Sequence, residues 1–177
     1  MSVDDPLLTD DARGLVADLT VRKQTVATAE SLTAGLLAAT IAGVPGASEV
    51  LRGGLITYTE HTKVALAGVA PEILAEVGPV AAPLDEVGPV AGPTARALAV
   101  GARQRCDTTW GVGLTGVAGP EPHGGHAVGT VFMGLAGPGE SGAIEVVELQ
   151  FTGTRWDIRI SAVRASISRL RALVAAP

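Results

Sequence analysis

Residues 25–35 read Thr25-Val26-Ala27-Thr28-Ala29-Glu30-Ser31-Leu32-Thr33-Ala34-Gly35. Thr25–Ala29 is a short run rich in β-branched residues and predicts a strand. Residues 36–44 are small and apolar throughout and predict a buried helix, stopped by Val44-Pro45-Gly46. The strand thus ends at Glu30 and the helix starts just after Ser31, giving the strand–turn–helix unit from which α/β sheets are built. Ser31 falls where unpaired backbone N–H groups and the helix dipole converge. Two readings of this serine stay open. It is a nucleophile whose oxyanion those N–H groups stabilise, or it is an ordinary N-cap. Spacing alone favours the cap, because strand–serine–helix turns are common.

Outward from this unit the helical and strand periodicities alternate. Thr9, Asp10 and Asp11 cap a predicted helix with the apolar stripe Ala12, Leu15, Val16 and Leu19. Leu51–Tyr58 alternates as a strand, His61–Ala67 reads as a helix, and Pro71–Val77 as a short helix with proline at its start. Thr94–Arg105 predicts a helix and Thr109–Thr115 a strand. A glycine- and proline-rich loop follows over Gly116–Gly125. Val128–Ala136 and Ile144–Phe151 predict neighbouring strands. A long closing helix runs from Arg155 to Val174, with Ile160, Val163, Ile167 and Leu170 on one side. This interleaving predicts a single-domain layered α/β sandwich with a mixed sheet, spanning residues 1–177.

The composition narrows the class. The chain has 177 residues, 47% hydrophobic and 18% charged, which suits one globular domain. A net charge of −5 offers no general attraction to nucleic acid or to an anionic membrane. Aromatic residues make up 3%, too few for a base-stacking surface. The single cysteine, Cys106, excludes an intrachain disulfide framework and a cysteine-cluster metal site. Apolar stretches such as the one around 36–41 fall well short of the roughly 20 residues a membrane span needs. The acidic N-terminus resembles neither a signal nor a transit peptide. These features predict a cytoplasmic protein. The alanine- and valine-rich composition and the long terminal helix predict a homo-oligomer.

One segment breaks the pattern. Residues 76–85 read EVGPVAAPLD and residues 86–95 read EVGPVAGPTA, identical at seven of ten positions. One repeat of this period is too short for a solenoid. It reads as a tandem duplication lengthening one loop, and Pro79, Pro83, Pro89 and Pro93 forbid a regular helix across it. Since loop closure depends weakly on length, removing residues 82–91 is expected to leave a folded chain.

A nucleophilic Ser31 needs a base. His61, His123 and His126 are candidates, but His123 and His126 lie in the glycine loop, where a lone H-x-x-H is a weak metal signal without a third ligand. The other option is a lysine with its pKa lowered by burial. The chain has two lysines, Lys23 and Lys63. If Leu51–Tyr58 pairs beside Thr25–Ala29, Tyr58 and Lys63 emerge at the same sheet edge as Ser31. From position alone, Lys63 equally reads as a solvated surface lysine. A third element runs from Gly113 through Thr115, Gly116, Ala118 and Gly119 to Val128-Gly129-Thr130. Its strand end and glycines expose successive N–H groups that suit a phosphate or carboxylate, or simply form a hairpin loop. It matches neither the Walker A pattern nor the dinucleotide fingerprint.

Taken together these residues resemble the C-terminal domain family of the competence-damage protein CinA, which includes stand-alone nicotinamide-nucleotide amidohydrolases. The likeness runs from about Val16 to Leu173. The family's Ala-Glu-Ser-Cys-Thr-Gly-Gly is matched from Ala29 to Gly35, its Gly-Gly…Tyr…Lys segment from Gly53 to Lys63, its Ser/Thr-Gly-x-Ala-Gly-Pro from Thr115 to Pro120, and its Val-Gly-Thr-Val from Val128 to Val131. Phe151, Gly153 and Arg155 match a terminal motif. Leu32, Ala34, Glu60, His61, Ala91 and the His126-Ala127 pair depart from the usual residues.

The resemblance implies an α/β fold and hydrolysis of the carboxamide of nicotinamide mononucleotide, with no cofactor and no metal. It implies Ser31 as nucleophile, with Lys63 and Tyr58 as activating partners. Substrate contacts are implied at Glu30, Leu32, Thr33, Gly35, Thr115, Gly116, Ala118, Gly119, Gly129 and Arg155. The expected partner is a small nucleotide, with neither nucleic acid nor membrane. An alternative of a different class is a non-catalytic nucleotide-binding or regulatory module of the same fold. The intact set Ser31, Tyr58 and Lys63 argues against it, because binding alone needs none of the three.

Overall fold

The structure is a computed structural model that describes residues 9–75, 88–138 and 144–176. Its elements are α1 (Asp10–Val21), β1 (Val26–Glu30), α2 (Leu36–Ala42), β2 (Leu51–Ile56), α3 (Glu60–Ala67), α4 (Pro71–Leu74), α5 (Gly92–Arg105), β3 (Trp110–Gly116), β4 (Thr130–Ala136), β5 (Ile144–Gln150) and α6 (Arg155–Ala175). The five strands form one mixed sheet in the order β2-β1-β3-β4-β5. The strands β2, β1 and β3 are parallel, while β4 and β5 each run antiparallel to their neighbour.

Helices cover both faces. On one face Val26, Val112, Leu114, Met133 and Leu135 pack with residues of α1, α2 and α6. The ion pairs of Arg171 with Asp11 and Asp18 tie α6 to α1. On the other face Ala27 and Ala29 meet residues of α3, α4 and α5. Here the sheet is floored with glycine. A Cβ on Gly111, Gly113 or Gly134 would run into the backbone of α5, at Ala99 or Ala95. The helix therefore lies directly against the strand backbone, and most of the large buried side chains lie on the opposite face.

The chain leaves β1 toward β2 on one side and later crosses to β3 on the other, so β1 is a topological switch point. In open α/β sheets the carboxyl ends of strands at such a point frame a crevice. The register aligns Glu30 with Ile56 and with Leu114. Ser31 and Thr57 accordingly leave the sheet together, while β3 runs on to Gly116, with Thr115 beside them and paired with Phe132 of β4.

One sequence expectation is corrected. The stripe of α6 is buried through Ile158, Val163, Ile167 and Leu170, whereas Ile160 is only half-buried. Two residues at about 100° each turn Ile160 away from Ile158. The second copy of the repeat packs into the fold. Its portion at 76–87 lies outside the described residues, but residues 88–91 are buried and bonded into the fold. The Gly88 amide donates to the Ile73 carbonyl, the Thr94 hydroxyl donates to the Gly88 carbonyl at 2.6 Å, and the Thr115 hydroxyl donates to the Pro89 carbonyl at 2.5 Å. Val90 and Ala91 are buried apolar residues. Deleting 82–91 would join Ala81 to Gly92 and bring the identical run Gly78-Pro79-Val80-Ala81 into the place of residues 88–91, so the repeat supplies its own replacement for these contacts. Among the described residues no helix is long and apolar enough to cross a membrane.

The glycine floor makes a direct prediction. Gly113→Ala forces α5 off the sheet and is expected to lower stability by about 3 kcal/mol, read as an earlier midpoint in urea unfolding. An unchanged midpoint would show that α5 does not need this contact.

Candidate active site

The β1 register places Ser31 one step past the sheet, its amide donating to the Leu114 carbonyl at 2.9 Å. The turn 31–35 then lifts the chain into α2, which begins at Leu36 rather than just after Ser31. Ser31 is therefore not the N-cap. That position belongs to Gly35 (φ +91°), which has no capping side chain, and the start of α2 is held by Glu30 instead. The Glu30 carboxylate accepts from the amides of Gly35, Leu37 and Ala38 at 3.0, 3.0 and 2.9 Å, and from the Thr28 hydroxyl at 2.9 Å. The amides of Leu32 and Thr33 have no acceptor among the described residues.

Lys63 approaches from α3. Thr59 caps this helix through a reciprocal pair of bonds with Thr62, fixing its first turn. Lys63 is 2% exposed. Its Nζ lies 3.3 Å from Ser31 Oγ and donates to the Thr57 carbonyl at 3.1 Å. Burial pushes the Lys63 pKa below its ordinary value, and the Glu60 carboxylate one turn away partly opposes this. A lysine so placed holds a lone pair near neutral pH more readily than a solvated one. A nucleophile beside a desolvated amine is the arrangement general-base activation requires.

Ser31 and Lys63 sit in a cleft of about 570 Å³. One wall is the glycine loop, with Thr115, Gly116, Ala118 and Gly119; another is formed by Tyr58, Thr59, Glu60 and His61; Leu32 and Arg155 also line it. The side chain of Arg155, the first residue of α6, bridges two of these walls. It donates to the Gly119 carbonyl at 2.7 Å and to the Tyr58 hydroxyl at 2.8 Å. Its helix start is fixed by Thr154, whose hydroxyl and amide both bond Asp157 and hold that carboxyl below its usual range.

The expected site residues divide into two groups. Ser31, Lys63, Tyr58, Leu32, Thr115, Gly116, Ala118, Gly119 and Arg155 all line the cleft. Tyr58, however, is bonded to Arg155 and to neither Ser31 nor Lys63, so a relay through its hydroxyl is not part of this geometry. Glu30, Thr33, Gly35 and Gly129 do not line the cleft. Glu30 and Thr33 are buried, and the Glu30 oxygens are fully engaged at the start of α2. Gly129 (φ +94°) is in a turn where a Cβ would strike the Phe151 carbonyl. Its role is close packing.

The sequence did not point to Pro89, Val90 and Glu121 as cleft residues. The available signal for the first two was the repeat, whose second copy supplies them. His61 and His123 reach the cleft, whereas His126 packs edge-on against Phe132 at 5.4 Å. Among the described residues no cluster of three metal-ligating side chains occurs.

The CinA C-terminal domain family matches residues 9–174. The chain belongs to the CinA C-terminal domain family. A CinA-like protein of Anaeromyxobacter sp. is 43% identical over 160 residues, covering 89% of this chain and 35% of that protein. A CinA-like protein of Frankia casuarinae is 39% identical over 167 residues, covering 94% and 36%. The chain thus spans about a third of the length of these relatives. Among solved structures, the competence/damage inducible protein CihA of Agrobacterium tumefaciens superposes with a TM-score of 0.83 at 31% identity, covering 98% of this chain and 99% of that one. The single-domain α/β fold with a five-stranded mixed sheet is accordingly a CinA-superfamily fold.

Glu60 gives this site a testable electrostatic signature. Its carboxylate favours protonated Lys63, so Glu60→Gln is expected to lower the Lys63 pKa further. A rate that rises as Lys63 loses its proton would then reach its plateau at lower pH than in the wild type. A pH–rate profile of the variant that stays in place, or moves to higher pH, would show that Lys63 does not set the limb.

Proposed function

We propose that this chain is a serine amidohydrolase that converts nicotinamide mononucleotide to nicotinic acid mononucleotide and ammonia. The observation that carries the reading is the 3.3 Å approach of a buried Lys63 Nζ to Ser31 Oγ inside a cleft. A binding module gains nothing from desolvating a lysine against a serine, and burial of an amine is costly without a task.

Neutral Lys63 takes the proton of Ser31 as Oγ attacks the carboxamide carbon. The negative charge that develops on the carbonyl oxygen falls to the open amide of Leu32, which lines the cleft. The Lys63 ammonium returns its proton to the amide nitrogen, the C–N bond breaks, and ammonia departs. An ester joins the acyl group to Ser31. Water then attacks this ester, giving a proton to Lys63, and the acid leaves as Ser31 is reprotonated. The Thr57 carbonyl holds Nζ in line throughout by accepting one of its N–H bonds.

The choice of substrate is supported by membership of the CinA C-terminal domain family and by its motifs in this sequence. A cleft of about 570 Å³ suits a mononucleotide. Arg155, whose acceptors Gly119 O and Tyr58 Oη are both uncharged, offers positive charge to a phosphate.

The test is ammonia release from nicotinamide mononucleotide by the purified protein, with nicotinamide and nicotinamide riboside as comparison substrates. Ser31→Ala is expected to lose activity by orders of magnitude while keeping its fold. Lys63→Arg is expected to be nearly inactive, because a guanidinium stays protonated and cannot accept the serine proton. Chelators are expected to leave the rate unchanged. Ser31→Ala activity above about a tenth of wild type, or an active Lys63→Arg enzyme, would defeat the mechanism.

A further inference from the structure

We propose that Glu30 is the positioning residue of the nucleophile: its buried carboxylate grips the amides of Gly35, Leu37 and Ala38 and so fixes the turn that carries Ser31. The proposal rests on the reading of Ser31 as nucleophile.

Glu30 is 1% exposed. A charge removed from water to that extent must be fully bonded. One oxygen accepts from the Gly35 and Leu37 amides, the other from the Ala38 amide and the Thr28 hydroxyl. These donors sit at the N-terminus of α2, where the helix dipole favours a negative charge. The residue adjoining the nucleophile is therefore fastened to a helix starting six residues along the chain. The carboxylate has no acceptor position left for a substrate, and it does not line the cleft.

The segment it spans needs such a fastening. Ala34 (φ +50°) and Gly35 (φ +91°) are two consecutive left-handed residues, and the first is not glycine. A non-glycine residue in that region is strained and persists only where its surroundings hold it. Here the bond from the next amide, Gly35 N, to Glu30 does so. At its other end the turn is held by the bond from Ser31 N to the Leu114 carbonyl. Ser31 Oγ and the open amides of Leu32 and Thr33 lie between these two anchors. Misplacing reacting groups by about 1 Å costs on the order of a hundredfold in rate.

The chemistry of the carboxylate explains why glutamine is not equivalent. An amide nitrogen in place of one oxygen faces two backbone N–H groups; in place of the other it faces the Ala38 N–H. Either orientation sets donor against donor and releases part of the turn.

The experiment compares wild type with Glu30→Gln on two readouts. The first is amide hydrolysis, resolved into kcat and KM. The second is phosphonylation of Ser31 by a small fluorophosphonate, in which Oγ bonds phosphorus, fluoride leaves and Lys63 takes the proton. The expected result for the folded variant is a fall of about 10- to 100-fold in both kcat and the phosphonylation rate. KM should stay within about threefold, and the limb of the pH profile should not move, since Lys63 is untouched. Thr28→Val, which removes one donor to the carboxylate, should lower both rates by a few-fold. A folded Glu30→Gln enzyme with wild-type kcat overturns the proposal, as does a rise in KM alone. If Glu30→Gln fails to fold and Thr28→Val is fully active, Glu30 is merely structural and the proposal falls. Wild type that is phosphonylated at Ser31 yet releases no ammonia refutes the amide reading and leaves this one standing.

Discussion

The site depends on a register. Three parallel strands are aligned so that Glu30 and Ile56, the last residues of β1 and β2, form one row with Leu114, two residues before the end of β3. What each strand does next is then decided at a common level. From β1 comes Ser31, from β2 come Thr57 and the run to Lys63, and from β3 comes the glycine loop. Backbone bonds seal the row, with Thr57 N donating to the Glu30 carbonyl and Ser31 N to the Leu114 carbonyl. Because side chains alternate along a strand, a slip of one residue would turn the Glu30 side chain to the opposite face of the sheet. The placement of the nucleophile and the integrity of the core are thus the same constraint.

Against this frame, two buried charges are treated in opposite ways. The Glu30 carboxylate is surrounded by four donors and stays fixed. Lys63 is given one hydroxyl and one carbonyl, and burial pushes its pKa down. A group that is fully satisfied rigidifies, whereas one left short of partners is poised to exchange a proton. The difference follows from what each faces. Glu30 points at a helix N-terminus, and Lys63 points from its own helix across a cleft at Ser31.

The small residues make this geometry reachable. With α5 resting on Gly111, Gly113 and Gly134, the second copy of the repeat is drawn in close enough for Pro89 to accept from Thr115 and for Pro89 and Val90 to wall the cleft. A segment that reads as spare loop is here part of the site. At the opposite wall, Arg155 couples the glycine loop to Tyr58 and makes the start of α6 a boundary of the same cleft.

The sequence by itself determined the order of strands and helices, because period-two and period-3.6 patterns are local and turn residues punctuate them. It also marked Ser31 and Lys63, through residue types and motifs that survive in linear order. Only the tertiary structure decided what those residues touch. That Tyr58 bonds Arg155, that Glu30 serves the α2 start rather than a ligand, and that residues 88–91 are core all depend on groups brought together by the sheet. Glu30 and Ala38 are eight residues apart, and Tyr58 and Arg155 ninety-seven. No local periodicity encodes such pairs, because hydrogen-bond partners are chosen by which donors and acceptors burial leaves within reach of one another.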